Sequence, residues 1–243
     1  MMRLKGMVCI VTGAARGIGR AVARAFVAEG AIVYGADRIT KELEHEMGNI
    51  GARAVPVDLT RPEQIEHLVV TVMREQGRVN VLANVAGIIE IKRLEETSIE
   101  DFDRILSVNL RGPFLTCKAV APHMKRDGRG SIINVSSRAG VMGFADEVAY
   151  CASKFGLEGL SRAIAEDLGS FGIAVNTITP GVPTRTAMSE KTYSAEARRD
   201  WKDPMVITPA FVHLALQTPK GIHNRYVNAW ELSQQLRAEG WEA

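Results

Sequence analysis

The chain is short of cysteine, of net charge and of long apolar runs. Only three cysteines, Cys9, Cys117 and Cys151, occur in 243 residues, an odd number at wide spacing with no paired thiol motif. That pattern excludes the disulfide framework of a small secreted domain and suits a reducing compartment. Lys plus Arg number 30 against 28 Asp plus Glu, a net charge of +2. A nucleic-acid or membrane-surface binder would carry a basic excess or stripe, so neither partner is expected. No stretch approaches the roughly 18 apolar residues of a membrane span. The apolar run 7–11 follows two basic residues, yet it is too short for a secretion-signal core and leads into a glycine turn. A cytoplasmic location is the expectation. His45, His67, His123, His213 and His223 show no metal-ligand spacing, and no metal is expected. Repeats, low-complexity tracts and Pro/Gly/Ser linkers are absent too.

What is present is ordinary globular composition, 46% hydrophobic and 24% charged, at a length between one domain and two when a domain is about 150 residues. Short, β-branched apolar runs at 7–11, 32–36, 53–57, 79–83, 131–135 and 173–178 read as buried strands. Helical patterns separate them. Ile65, Leu68, Val69, Val72 and Met73 form one apolar stripe, as do Ile18, Val22, Phe26 and Val27. Thr60 is a plausible cap for the former, with Pro62 in its first turn. Repeated strand–helix alternation implies parallel strands with helices on both faces, an α/β doubly wound sheet. Residues 185–203 break the texture, being dense in charge of both signs. They read either as a solvated surface helix or as a mobile flap over a ligand site.

Between the first strand and first helix lies Thr12-Gly13-Ala14-Ala15-Arg16-Gly17-Ile18-Gly19. Glycines there permit a tight turn and close backbone approach to a pyrophosphate, whose charge the helix N-terminus favours. The spacing is Gly-x-x-x-Gly-x-Gly, and by itself a structural turn would explain it equally well. Asp37 ends the second strand, 18 residues after Gly19, where an acid would accept hydrogen bonds from an adenosine ribose. Its charge would repel a 2′-phosphate and favours NAD. Arg16 and Arg38 point toward NADP, because either guanidinium could reach a phosphate. Asp58 either meets the adenine edge or is a turn acid.

Tyr150 and Lys154 stand at i and i+4 of a helical pattern and so share a face. A phenol titrates near 10, and a neighbouring ammonium together with an oxidised nicotinamide would lower it into a useful acid–base range. Ser137 closes the fifth strand, 13 residues earlier, where its hydroxyl could hold a substrate oxygen beside the phenol. Asn109 is polar within an otherwise apolar helix and could equally be a satisfied core amide. Cys151 reads as a small buried filler. Arg138 either points into the cleft, to hold a carboxylate or phosphate, or is surface charge.

Taken in order, Thr12-Gly13, Gly17-Ile18-Gly19, Asp58, Asn84-Val85-Ala86-Gly87, Asn109, Ser137, Tyr150, Lys154, Asn176 and Pro180-Gly181 resemble the short-chain dehydrogenase/reductase family over about residues 5–185. The resemblance implies a single-domain Rossmann fold and hydride transfer between nicotinamide and a secondary alcohol or ketone. It implies that Tyr150 moves the proton and Ser137 orients the substrate oxygen. Lys154 would bind the nicotinamide ribose and tune Tyr150, and Asn109 would hold a relay water. Cofactor contacts would run over Gly13, Arg16, Gly17, Ile18, Gly19, Asp37, Asp58, Leu59, Asn84, Ala86, Gly87, Pro180, Gly181, Val182 and Thr184, with Tyr150 and Lys154. Arg138 and Phe144 are candidate substrate contacts, and a homo-oligomer is implied.

The chain departs from the family pattern at Asn84-Val85, where two asparagines are common. Near the C-terminus, where the family often carries Asp-Gly-Gly after a strand, it reads Asn224-Arg225-Tyr226-Val227-Asn228-Ala229-Trp230-Glu231, and the expected threonine after Pro180-Gly181 falls at Thr184 or Thr186. The motifs end near 184, which leaves a helix around 209–216, a last strand near 225–228 and a terminal helix. That is too little for a second domain, so one domain is expected, with a flap over 182–205. Two alternatives stay open: an NADPH-dependent 3-oxoacyl thioester reductase and a non-catalytic dinucleotide sensor.

Overall fold

The computed structural model describes residues 2–196 and 198–241. Seven strands form one sheet in the order β3-β2-β1-β4-β5-β6-β7, and every neighbouring pair is parallel. They are β1 (Val8–Thr12), β2 (Ile32–Asp37), β3 (Arg53–Pro56), β4 (Val81–Asn84), β5 (Gly130–Val135), β6 (Ile173–Thr179) and β7 (Tyr226–Asn228). β1, β4, β5 and β6 are buried at every residue, as strands covered on both faces must be. Strand order reverses between β1 and β4, which opens a crevice at the carboxyl ends of the strands.

Helices close both faces. On one lie α1 (Gly17–Ala28), α2 (Thr40–Ile50) and α8 (Thr208–Ala215), whose Val22, Phe26, Leu43, Met47, Phe211 and Leu214 join one buried cluster. On the other, α3 (Pro62–Gln76), α5 (Gly112–Asp127) and α6 (Val148–Gly169) supply Leu68, Val72, Val120, Met124 and Leu168 to a second. α4 (Ile99–Leu106), α7 (Ala187–Thr192) and α9 (Ala229–Ala238) complete the helices among the described residues. The doubly wound architecture expected from the alternation of elements is the one observed.

Two local expectations differ. β4 starts at Val81 rather than 79, because the Asn80 side-chain carbonyl, not its main chain, accepts from Val8 N at 2.8 Å. α3 is capped by Arg61, not Thr60. The Thr60 amide and hydroxyl both donate to Asp58 Oδ1, at 2.9 and 2.7 Å, so a tight Asx turn takes the hydroxyl away from the helix.

Among the described residues of 182–205, a strap, α7 is the only α-helix, and a 3₁₀ turn begins at Pro204. Lys202 N donates to Pro183 O and Arg185 N donates to Lys202 O, so the segment doubles back on itself. α7 is closed by reciprocal Thr186–Ser189 hydrogen bonds, and the Tyr193 ring packs edge-on against Trp201 at 5.2 Å. After the strap, α8 inserts Phe211, 1% exposed, into the first cluster, and Ser131 Oγ of β5 donates to Leu214 O at 2.7 Å. The C-terminal quarter thus contributes to the same core as β1. Phe211→Ala should destabilise the protein by about 3–5 kcal/mol and preserve a single transition in urea. A second, separate transition would show instead that the C-terminal elements fold by themselves.

Candidate active site

The glycine turn is built from three positions that tolerate no side chain. Gly13 has φ +70°, and a Cβ there would lie 2.8 Å from Ala86 Cα. A Cβ on Gly19 would lie 2.1 Å from Gly13 O, which is how α1 starts so close beneath the turn. Gly17, at φ +52°, faces Thr186 Cβ and Cγ2 at 3.1 Å. Thr186 is therefore the threonine that abuts the turn, while Thr184 is buried in the strap and bridged to Lys202. The first amides of a helix lack intrahelical partners, and with α1 starting directly after the turn this cradle suits a pyrophosphate.

Asp37 closes β2 beside that turn. Its Oδ2 accepts from Ala15 N at 3.2 Å and its Oδ1 from Ile39 N at 3.1 Å. Arg16 is already engaged, its guanidinium 2.7 Å from Glu42 across to α2. Burial acts to raise the Asp58 carboxyl, but the Thr60 hydrogen bonds with the charges of the exposed Arg38 and of Arg61 together outweigh it and hold the group below its ordinary range. Two residues implied as cofactor contacts turn their side chains elsewhere. Leu59 is buried in the second cluster. Asn84 accepts from Thr116 Oγ1 at 2.8 Å and donates to Asn134 Oδ1 at 2.9 Å. A bridge between β4 and β5 occupies that amide, so the strand end presents backbone, through Ala86 and Gly87. At the other end of the crevice, Gly181 sits at φ +72°, where a Cβ would fall 1.7 Å from Asn228 Oδ1.

Ser137, Tyr150 and Lys154 come together where β5 ends. Ser137 Oγ caps a single 3₁₀ turn, Arg138–Gly140, by accepting from Ala139 N at 3.2 Å, and its hydroxyl lies close enough to the Tyr150 phenol to favour the phenolate. Lys154 Nζ donates to Val135 O at 2.7 Å and lies 5.6 Å from the Tyr150 ring centroid. Gly87 leaves room above it: a Cβ there would lie 3.8 Å from Nζ. Burial pushes the Lys154 ammonium down to about 8 and the Tyr150 phenol up to about 12, the latter against the nearby Ser137 hydroxyl. The lowered phenol expected from the Tyr/Lys spacing is thus not a property of the protein by itself, because desolvation of the phenolate outweighs the neighbouring groups.

Asn109 does not lie in a regular α-helix. Residues Ser107–Arg111 form a π-helical turn between α4 and α5. The signal for it was in the sequence: Pro113 has no N–H to give the Asn109 carbonyl four residues back, so the α ladder must break there. The buried amide accepts from Ile88 N at 2.8 Å and donates to Ile88 O at 2.8 Å and Ser153 Oγ at 3.1 Å. It therefore ties the segment after β4 to α6. Cys151 is buried beside Tyr150.

Arg138 is exposed at the rim, stacked over Phe144 at 5.5 Å. Three rim residues were not singled out from sequence. Glu147 precedes α6 and lies 3.5 Å from the Tyr193 hydroxyl. Burial raises its carboxyl, against that hydrogen bond and the Arg138 charge. Tyr226 of β7 donates to Ser137 O at 3.2 Å. No local motif marks Tyr193 or Tyr226, since both reach the site from distant segments.

Residues 7–197 match the family model for short chain dehydrogenases. The chain is 38% identical to D-threitol dehydrogenase of Mycolicibacterium smegmatis, over 74% of this chain and 71% of that one. It is 43% identical to 3-alpha-(or 20-beta)-hydroxysteroid dehydrogenase of Mycobacterium tuberculosis, over 77% and 73%. A solved short-chain type dehydrogenase/reductase from Mycobacterium marinum superposes with a TM-score of 0.85 at 27% identity, covering 93% of this chain and 95% of that one. The chain belongs to the short-chain dehydrogenase/reductase family, oxidoreductases that act on CH–OH and C=O groups.

Proposed function

We propose that the protein interconverts a secondary alcohol and a ketone, using NAD in preference to NADP. The observation that carries this reading is the convergence of Tyr150, Ser137 and Lys154 at the end of β5, across the crevice from the glycine turn. The cradle fits a dinucleotide: Gly13, Gly17, Ile18 and Gly19 offer backbone to a pyrophosphate, and Asp37 stands where a ribose would lie. Asp58 and Leu59 would border the adenine, with Ala86, Gly87, Pro180, Gly181, Val182 and the 184–186 threonines along the rest. When bound, nicotinamide supplies the carbon that takes or gives the hydride.

The protein's own work is acid–base and orientation. In oxidation, Ser137 Oγ hydrogen-bonds the substrate hydroxyl and Tyr150 Oη takes its proton; in reduction, Tyr150 returns a proton to the carbonyl oxygen. Lys154 holds positive charge beneath the phenol, and the Asn109 backbone carbonyl, left without an α-helical donor, is the group to carry a relay water. Arg138 and Phe144 form the rim that meets the substrate. We read the chain as one catalytic domain with 182–205 as its substrate strap, acting as a homo-oligomer in the cytoplasm. The dinucleotide-sensor alternative is disfavoured because all three acid–base residues converge. An NADPH-dependent 3-oxoacyl thioester reductase is the second reading, supported by the exposed Arg38 beside Asp37.

Tyr150→Phe should lower turnover at least about 100-fold while dinucleotide affinity, followed by fluorescence titration, stays close to wild type. Retained turnover would refute the assignment. The phenol must be deprotonated to accept a proton and burial pushes it up to about 12, so kcat/KM for alcohol oxidation should climb as pH rises above neutrality, while that for ketone reduction should stay level until pH approaches that value. An oxidation rate that falls as pH rises above neutrality would exclude Tyr150 as the titrating group. Asp37→Ala should reduce the NAD-over-NADP ratio of kcat/KM by about tenfold or more, since it removes a like-charge repulsion. A wild-type preference for NADP would favour the second reading.

A further inference from the structure

We propose that Tyr226 is a positioning residue for Ser137: from β7 its hydroxyl holds the Ser137 peptide, and through it the serine hydroxyl, in the orientation that meets the substrate oxygen. The contact joins residues 89 apart in the chain, with Tyr226 Oη donating to Ser137 O at 3.2 Å.

β7 is only three residues long, yet its place is fixed. It runs parallel to β6 with Tyr226 in register with Thr177, and Thr177 N donates to Arg225 O at 3.0 Å. Thr177 turns its hydroxyl toward α6, where it donates to Glu158 Oε2 at 2.9 Å. Register partners on neighbouring strands share a face of the sheet. Tyr226 therefore lies on the α6 side as well, and it reaches past β6 to Ser137, just beyond the end of β5.

The peptide that Tyr226 holds governs the serine. Ser137 is extended, at φ −159° and ψ 167°, and the next three residues make the 3₁₀ turn. Rotation about ψ of Ser137 moves its carbonyl and the whole turn together. With the turn goes Ala139 N, the donor that fixes Ser137 Oγ at 3.2 Å. Ser137 O also accepts from Gly140 N at 2.9 Å, but that bond lies inside the turn, travels with it and cannot set its direction. Among the described residues, Tyr226 is the donor to this carbonyl from outside the turn. Tyr226 also borders a polar cleft of about 420 Å³, shared with Glu158, Asn176 and Arg225. With open space on that side, the hydroxyl contact sets the direction of the side chain.

The role rests on Ser137 serving the dehydrogenase chemistry, so the test reads the serine's turn directly as well as turnover. Tyr226→Phe keeps the ring and removes the donor. Ser137 O retains Gly140 N, so no buried acceptor is orphaned and Tm should stay at the wild-type value. For oxidation of whichever of cyclohexanol or glycerol turns over faster, kcat/KM should fall about fivefold, with KM for NAD unchanged. On a Ser137→Ala background the same substitution should cost nothing further, because the hydroxyl through which it acts is gone. Exchange of the Ala139 amide, followed by NMR, should quicken in Tyr226→Phe. A loss of equal size in both backgrounds, no loss in Tyr226→Phe, or unchanged Ala139 exchange would each overturn the inference. Quickened exchange in Tyr226→Phe, beside a wild-type protein that turns over neither alcohol, would leave the positioning role standing and count against the dehydrogenase reading instead.

Discussion

One buried ammonium organises the centre of this molecule. Lys154 donates to the carbonyl of Val135, the last residue of β5, and this places α6 across the strand end. A cation in a low-dielectric interior is tolerated only with partners, and the Val135 carbonyl is one. Ser137, held as the cap of the following 3₁₀ turn, stands beside Tyr150, which shares α6 with the lysine.

A second close approach sets the opposite wall of the crevice. Gly13 touches Ala86 backbone and Gly19 touches Gly13, so the first βα turn, the start of α1 and the end of β4 form one surface without side chains. Strand order reverses at this point. The ligand crevice is thus a consequence of topology, and the glycines keep it open.

The last quarter of the chain illustrates how sequence and fold diverge. The stretch that matches the family model ends at residue 197, before α8, β7 and α9. α8, β7 and α9 nonetheless take their places. Asn228 caps α9 through Glu231 N and packs against Gly181. Trp230 N donates to Pro180 O. Burial of Phe211 and pairing of β7 to β6 join these elements to the rest of the fold.

Much was legible in the sequence because its signals are local. Apolar runs and helical stripes determined the doubly wound sheet, since periodicity within one segment decides which face can be buried. Glycine spacing determined the first turn, and Tyr150 and Lys154 four residues apart determined that both share a helix face. Tertiary structure alone decided the direction of side chains whose partners come from distant segments. It turned Asn84 inward to Asn134 and Thr116, set Thr186 rather than Thr184 against Gly17, and brought Tyr226 to Ser137. It also set the partly buried phenol where desolvation outweighs its neighbours. Burial and hydrogen-bond partnership are sums over contacts from the whole chain, and no local pattern encodes them.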